Sequence, residues 1–144
     1  MIIEELFSIS DEQVKDLLVL MNELNPKIYV DATMLRRVAA STSSHLFVMK
    51  DEGGRIIGTA TLCVFDSPTG QKAHVEDVVV LSTYRGHGLG RVMMEHLIDY
   101  ARKELVKLDI QLTSSPFRVA ANGMYKAMGF QQKETNVYKM EIHC

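Results

Sequence analysis

Cysteine is scarce in this chain: 144 residues carry two, Cys63 and Cys144. A lone pair makes no disulfide framework and points to a reducing compartment, the cytoplasm. Long apolar runs are also missing, and nothing approaches the roughly 20 residues that a bilayer span requires. The opening "MIIEELFSISDEQ" has no basic segment and meets acidic residues at once, unlike a signal peptide. Neither sign of charge dominates, since 16 basic and 18 acidic side chains leave a net charge of −2. No basic footprint therefore asks for nucleic acid, and no element asks for a membrane. The 5 histidines (45, 74, 87, 96 and 143) show no metal-ligand spacing, so no metal is expected. Repeats, low-complexity tracts and linkers are absent.

What is present is ordinary globular material, 47% hydrophobic and 24% charged. It suits a single domain over residues 1–144, a size that buries roughly 70% of its unfolded surface. "MIIEELFSI" reads as a strand. Ser10 is placed to cap a helix, with Gln13 as its capping-box partner and Val14, Leu17, Leu18, Met21 and Leu24 on one face. Asn25-Pro26 stops that helix. Asp31 caps a second one carrying Leu35, Val38 and Ala39. Residues 45–50 and 55–65 flank a Gly53-Gly54 turn, a hairpin signal, and 73–81 follows as a third strand after the turn 66–72. A long helix then carries the stripe Leu89, Val92, Met93, His96, Leu97 and Tyr100. A strand is expected within 105–113. A helix follows from Ser115-Pro116, with Phe117, Ala120, Ala121, Met124 and Met128 on one face and Gly129 as its stop. Residues 136–142 read as a closing strand. The fold class is α/β or α+β, with a mixed sheet. Its one parallel pair arises from a strand–helix–strand crossover.

The informative stretch is "VVVLSTYRGHGLGRVMMEHL", Val78 to Leu97. A valine strand ends in a turn with glycines at 86, 88 and 90, and a helix begins on top of them. A helix start leaves its first N–H groups unpaired, and these form an anion site with the positive end of the helix dipole. Glycines let the backbone approach an anion that a Cβ would hold off. Converging donors suit a pyrophosphate, and Arg85 and Arg91 add charge nearby. The glycine spacing is not G-x-G-x-x-G, and the missing Lys-Ser/Thr pair excludes a P-loop. Alone, the stretch is a weak signal, with a mere tight turn as its other reading.

Three segments together add a resemblance. Arg85-x-x-Gly88-x-Gly90 resembles the Gln/Arg-x-x-Gly-x-Gly/Ala signature of the Gcn5-related N-acetyltransferases. Asn122-Gly-Met-Tyr125-Lys-Ala-Met-Gly129-Phe130 is similar to that family's Asn-x-x-Tyr-x-x-x-Gly-Phe segment, and "HVEDVVV" is similar to the strand before the turn. Their order follows the family over nearly the whole chain.

The resemblance implies acetyl-CoA as cosubstrate. Arg85, Gly86, His87, Gly88, Leu89, Gly90 and Arg91 would hold its pyrophosphate through their amides. Val78, Val79 and Val80 would pair their backbone with the pantetheine arm, a form of strand addition. An N–H near Val79 would polarise the thioester carbonyl. Family members splay two central parallel strands at a bulge to make this slot, and nothing in the residues announces that bulge. The implied reaction is acetyl transfer to a primary amine by direct attack in a ternary complex. Tyr125 matches the family's general acid, with packing in the core as its other reading. Asn122, three residues earlier, would face the same cofactor. Glu76, two residues before Val78 and so on the same strand face, is the candidate base or substrate ligand, with Asp77, on the other face unless a bulge changes the parity, as second choice; either is also readable as the partner of a surface cation. Arg118 and Lys126 are readable as contacts for the 3′-phosphate or as a solvated face.

The acceptor is a small-molecule amine in this reading. The stretch is similar to the glucosamine-6-phosphate N-acetyltransferase branch, and protein amines are further alternatives. The first two helices usually wall the acceptor site, where Arg36 and Arg37 are available to an acidic acceptor. An acyl-CoA-binding sensor or subunit without turnover is the competing class. Members of the family often form a homodimer, but no stripe here identifies an interface.

Overall fold

A computed structural model describes residues 1–105 and 108–143 of the chain. Val106 and Lys107, within the strand expected over 105–113, and Cys144 lie outside the described residues. Two compact units divide the chain, residues 1–112 and 113–144.

The first unit runs β1 (Ile2–Leu6), α1 (Asp11–Leu24), α2 (Ala32–Ala40), β2 (Ser44–Lys50), β3 (Ile56–Ser67) and β4 (Gly70–Val80). A single 3-10 turn (Ser82–Tyr84) then leads to α3 (Leu89–Glu104) and β5 (Asp109–Gln111). The sheet order is β1-β2-β3-β4-β5, antiparallel except for the parallel β4–β5 pair. This is the mixed α/β sheet expected. Helix α1 packs on β3 and β4, α2 on β2, and α3 on β3 and β4. Leu17, Leu20, Phe47, Ile57, Leu62, Met93, Met94 and Leu97 form the fully buried centre of this unit.

Local chemistry explains the helix starts. The Ser10 hydroxyl accepts from the Gln13 N–H at 3.2 Å, and the Gln13 side chain accepts from the Ser10 N–H at 3.0 Å. Asp31 caps α2 through the Met34 N–H at 2.9 Å. Ser10→Ala should therefore cost about 1 kcal/mol of stability, read as a lower midpoint in urea unfolding. An unchanged midpoint would show that packing alone sets the start of α1.

Two apolar stripes differ in detail from the sequence pattern. In α3 the buried residues are Met93, Met94, Leu97 and Ala101, whereas Val92 is 45% exposed. In α1 they are Val14, Leu17 and Leu20, while Leu18 and Met21 turn to a surface hollow.

Strand β4 is irregular where it matters. Thr59 lies opposite Val79 and Thr61 opposite Glu76, so Ala60 faces both Asp77 and Val78. This is a β-bulge, and Asp77 takes the left-handed conformation within it, at φ +54°. The parity of the strand changes there. Glu76 and Val79, opposite two alternate residues of β3, share a face. The expected pairing of Glu76 with Val78 on one face is therefore corrected.

The parallel pair is short, covering Lys72↔Asp109, Ala73↔Ile110 and His74↔Gln111. Beyond His74, the outer edge of β4 from Val75 to Val80 has no neighbouring strand among the described residues.

The second unit contains α4 (Val119–Ala127). It starts later than Ser115-Pro116 suggests. The Arg118 N–H closes a turn on the Ser115 carbonyl at 3.0 Å, and Phe117, 82% exposed, lies outside the helix. Tyr125 is the buried residue of α4. Gly129, at φ +102°, follows the helix as its stop. The closing strand over 136–142 is not formed: residues 131–143 belong to no helix or strand, and Val137, Tyr138, Met140 and Ile142 are exposed. Alternation of apolar and polar side chains suits a strand, but only a partner's ladder makes one.

Candidate active site

The glycine turn is built as an anion cradle. Gly86 and Gly88 take positive φ values of +84° and +73°, which glycine adopts without penalty. Gly88 is the N-cap of α3 and offers no side-chain acceptor, so the first amides of the helix have no side-chain cap. A Cβ added at Gly86 or at Gly88 would meet no atom within 4 Å. The space over the turn is thus open to a ligand, and the helix dipole favours an anion in it.

Side chains around the turn hold its shape. His87 donates from Nδ1 toward the carbonyls of Tyr84 and Arg85, at 3.2 and 3.1 Å, so its ring folds back onto the turn. The Tyr84 hydroxyl donates to Asp51 at 3.1 Å, which raises the tyrosine's pKa. The Asp51 carboxyl is lowered, first by the Arg55 backbone N–H it accepts. Both arginines of the turn have acidic partners. Arg91 pairs with Glu95 at 2.9 Å, one helical turn on. Arg85 donates from Nε to the Val80 carbonyl at 2.9 Å and reaches Glu23 at 3.4 Å.

Strand β4 delivers its open edge directly to this turn. Val79 is buried, and Val78 and Val80 are half-buried. Unsatisfied backbone groups on such an edge are a template for an extended ligand. Glu76 and Asp77 are both exposed at the bulge. Cys63, opposite His74, is half-buried, and its thiol pKa is raised by burial first and then by the negative charges of Glu76 and Asp77.

The end of α1 and the loop after it line an open hollow of about 480 Å³. Leu18, Met21, Asn22, Lys27, Ile28 and Tyr29 are among its lining residues. Arg36 pairs with Asp11 at 2.6 Å on the surface, and Arg37 is exposed.

In the second unit, Asn122 and Tyr125 lie three residues apart on α4. The Asn122 amide donates to the Ser115 carbonyl at 3.0 Å and so fixes the entry to the helix. Tyr125 packs edge-on against Phe130, with ring centroids 5.9 Å apart. Burial raises its hydroxyl pKa, and the nearby Arg118 charge opposes this. Arg118 and Lys126 are exposed.

This arrangement meets its match in a known family, since the profile of the acetyltransferase (GNAT) family covers residues 12–130. This chain belongs to the GNAT family. Its turn, Arg85-x-x-Gly88-x-Gly90, and its Asn122-to-Phe130 segment both fall inside the matched range.

Characterised GNAT relatives diverge in what they are named for. The chain is 38% identical over 87 residues to a glucosamine 6-phosphate N-acetyltransferase of Trypanosoma brucei brucei, covering 56% of this chain and 54% of that protein. It is 29% identical over 96 residues to the N-alpha-acetyltransferase RimI of Mycobacterium tuberculosis, covering 67% and 58%. The chain thus spans between half and three fifths of the length of these two relatives. Among solved structures, a putative acetyltransferase from Agrobacterium tumefaciens superposes with a TM-score of 0.81 at 24% identity, over 98% of this chain and 100% of that one. The Arabidopsis thaliana glucosamine-6-phosphate N-acetyltransferase gives 0.71 at 22%, over 96% and 97%. Both share the GNAT fold.

Three features of the site escape a reading of the residues. The bulge at Asp77 carries no glycine to announce it. Glu23 is one acid among several on α1. The hollow depends on which α1 residues the sheet leaves uncovered, and Leu18 and Met21 fit the core pattern equally well.

Proposed function

We propose that the chain is an acetyl-CoA-dependent N-acetyltransferase acting on a small-molecule primary amine. The observation that carries this reading is the open edge of β4 running into the uncapped start of α3. The edge fits an extended amide-bearing arm, and the turn fits a pyrophosphate.

The residues present fit the cosubstrate. Amides from Arg85 to Arg91 would hold the pyrophosphate, with Gly86, Gly88 and Gly90 keeping the surface clear and His87 and Leu89 contributing backbone N–H groups. Val78, Val79 and Val80 would pair with the pantetheine arm, although one lone pair of the Val80 carbonyl is already used by Arg85. Acetyl-CoA, when bound, supplies an activated acetyl group as a thioester. The Val79 N–H is the candidate donor to its carbonyl oxygen.

Tyr125 is the proposed general acid. Its raised pKa keeps the hydroxyl protonated through the neutral range, so it can donate to a departing thiolate. Asn122 supports the entry to the same helix. Glu76 is the proposed base, an exposed carboxylate on the face of Val79 that can take the ammonium proton directly or through water. No step in this scheme requires a metal.

The hollow beside α1 is the proposed acceptor wall. Its mostly apolar lining, with Lys27 and Asn22, suits an amine carrying an apolar body and an acidic or polar group. Glucosamine 6-phosphate is the second reading, favoured by the same Lys27 charge and by the identity to the trypanosomal relative. A sensor without turnover is the alternative class.

Release of CoA from acetyl-CoA, followed across a panel of amines that includes glucosamine 6-phosphate and peptide N-termini, tests this reading. Turnover on one class of small amine is expected. Binding of acetyl-CoA with no turnover on any amine would point to a sensor. With an active amine in hand, Glu76→Gln should depress the rate with little change in acetyl-CoA affinity. An unchanged rate would rule Glu76 out as the base.

A further inference from the structure

Two donors of one residue and the guanidinium of another converge on a single carboxylate that neither the turn motif nor the reaction scheme uses. Glu23 sits on the last turn of α1, 59 positions before Ser82. Its Oε2 accepts the Ser82 N–H at 2.9 Å, and its Oε1 accepts the Ser82 hydroxyl at 2.8 Å. The same Oε2 lies 3.4 Å from Nη2 of Arg85, whose Nε holds the Val80 carbonyl. One side chain of α1 thereby grips both the second residue after β4, which opens the 3-10 turn, and the arginine that opens the glycine turn.

The placement is electrostatically unhelpful for binding alone. A carboxylate beside an anion cradle repels the anion and consumes part of the Arg85 charge. A residue serving only the pyrophosphate would be neutral or basic there. What the carboxylate supplies is a link. Glu23 is 24% exposed, and its chain neighbour Asn22 lines the hollow, as do Met21 before it and Pro26 to Val30 beyond it. The charge-assisted bonds to Ser82 are of the stronger kind. They tie the segment that forms the hollow to the segment that receives the cosubstrate.

We propose that Glu23 is a positioning residue that couples the hollow at the end of α1 to the cosubstrate turn, so that acetyl-CoA binding orders the acceptor wall. This rests on the function proposed above and assigns the regulation of that site. Acetyl-CoA held by the turn fixes Ser82 and Arg85. Through Glu23 it fixes the last turn of α1 and the loop that follows. The coupling is reciprocal, as linkage requires, so an occupied hollow would tighten the turn equally.

Hydrogen exchange with and without saturating acetyl-CoA tests the coupling, using wild type, Glu23→Gln and Ser82→Ala. In wild type, acetyl-CoA is expected to slow exchange in peptides covering 82–92 and also in those covering 21–30. In Glu23→Gln the slowing at 82–92 should persist. The slowing at 21–30 should shrink by about fivefold or more, the lower end of common coupling factors. Ser82→Ala, which keeps the backbone bond to Glu23, should fall between the two and serves if Glu23→Gln does not fold. A purely structural Glu23 would speed exchange at 21–30 without ligand and leave the ligand-dependent slowing intact, which would overturn the proposal. Slowing confined to 82–92 in wild type would overturn it too. No slowing at 82–92 in wild type would instead contradict the cosubstrate assignment, and the coupling with it.

Discussion

Gly88→Val abolishes acetyl-CoA binding in the expected result, with affinity falling at least about 100-fold, some 2.8 kcal/mol. Two effects act together. Gly88 holds φ +73° and ψ 16°, a left-handed conformation that a β-branched residue adopts only at a cost of about 1–3 kcal/mol. Its Cβ would also project into space that is free of protein atoms and assigned here to the pyrophosphate. The first effect lowers the melting temperature, and the second lowers affinity alone. Calorimetric titration beside thermal unfolding separates them. Gly88→Ala should show less strain and a smaller obstruction. Binding of normal strength to Gly88→Val would refute the pyrophosphate assignment.

The second large effect concerns the proton. Tyr125→Phe should lower kcat by about 100-fold or more, the scale of a lost general acid, with little change in acetyl-CoA affinity. The pH dependence has a fixed sign. Burial raises the Tyr125 pKa, so the acid stays competent up to and beyond the usual tyrosine value of about 10. The wild-type rate should fall only above that value, and the phenylalanine variant should lack this limb. Stability follows the same linkage. The contribution from the raised pKa is fully present below about 10 and is lost as pH rises through the folded value. Tyr125→Phe should unfold less steeply with pH in that range. An unchanged kcat would remove Tyr125 as the acid and leave it a packed aromatic beside Phe130.

Much of this molecule is legible from short-range chemistry. Ser10 with Gln13, and Asp31, announce their helices because a cap is a contact between residues three apart. The glycine turn is legible because only glycine tolerates its conformation at low cost. Long-range features are the ones that escape. The bulge at Asp77 is set by pairing across β3 and β4, and it reverses the parity on which Glu76 had been placed beside Val78. The closing strand over 136–142 fails for a similar reason: its pattern fits a strand, but no ladder forms in this structure. The grip of Glu23 on Ser82 spans 59 positions and leaves no local trace.

The central claim is that the open edge of β4 and the start of α3 receive one extended cosubstrate. A crystal structure of the chain with CoA tests it most directly. The account predicts pyrophosphate oxygens within hydrogen-bond distance of amides between Arg85 and Arg91, and a pantetheine arm paired along Val78 to Val80. CoA bound elsewhere on the chain, with the β4 edge left bare, would contradict it.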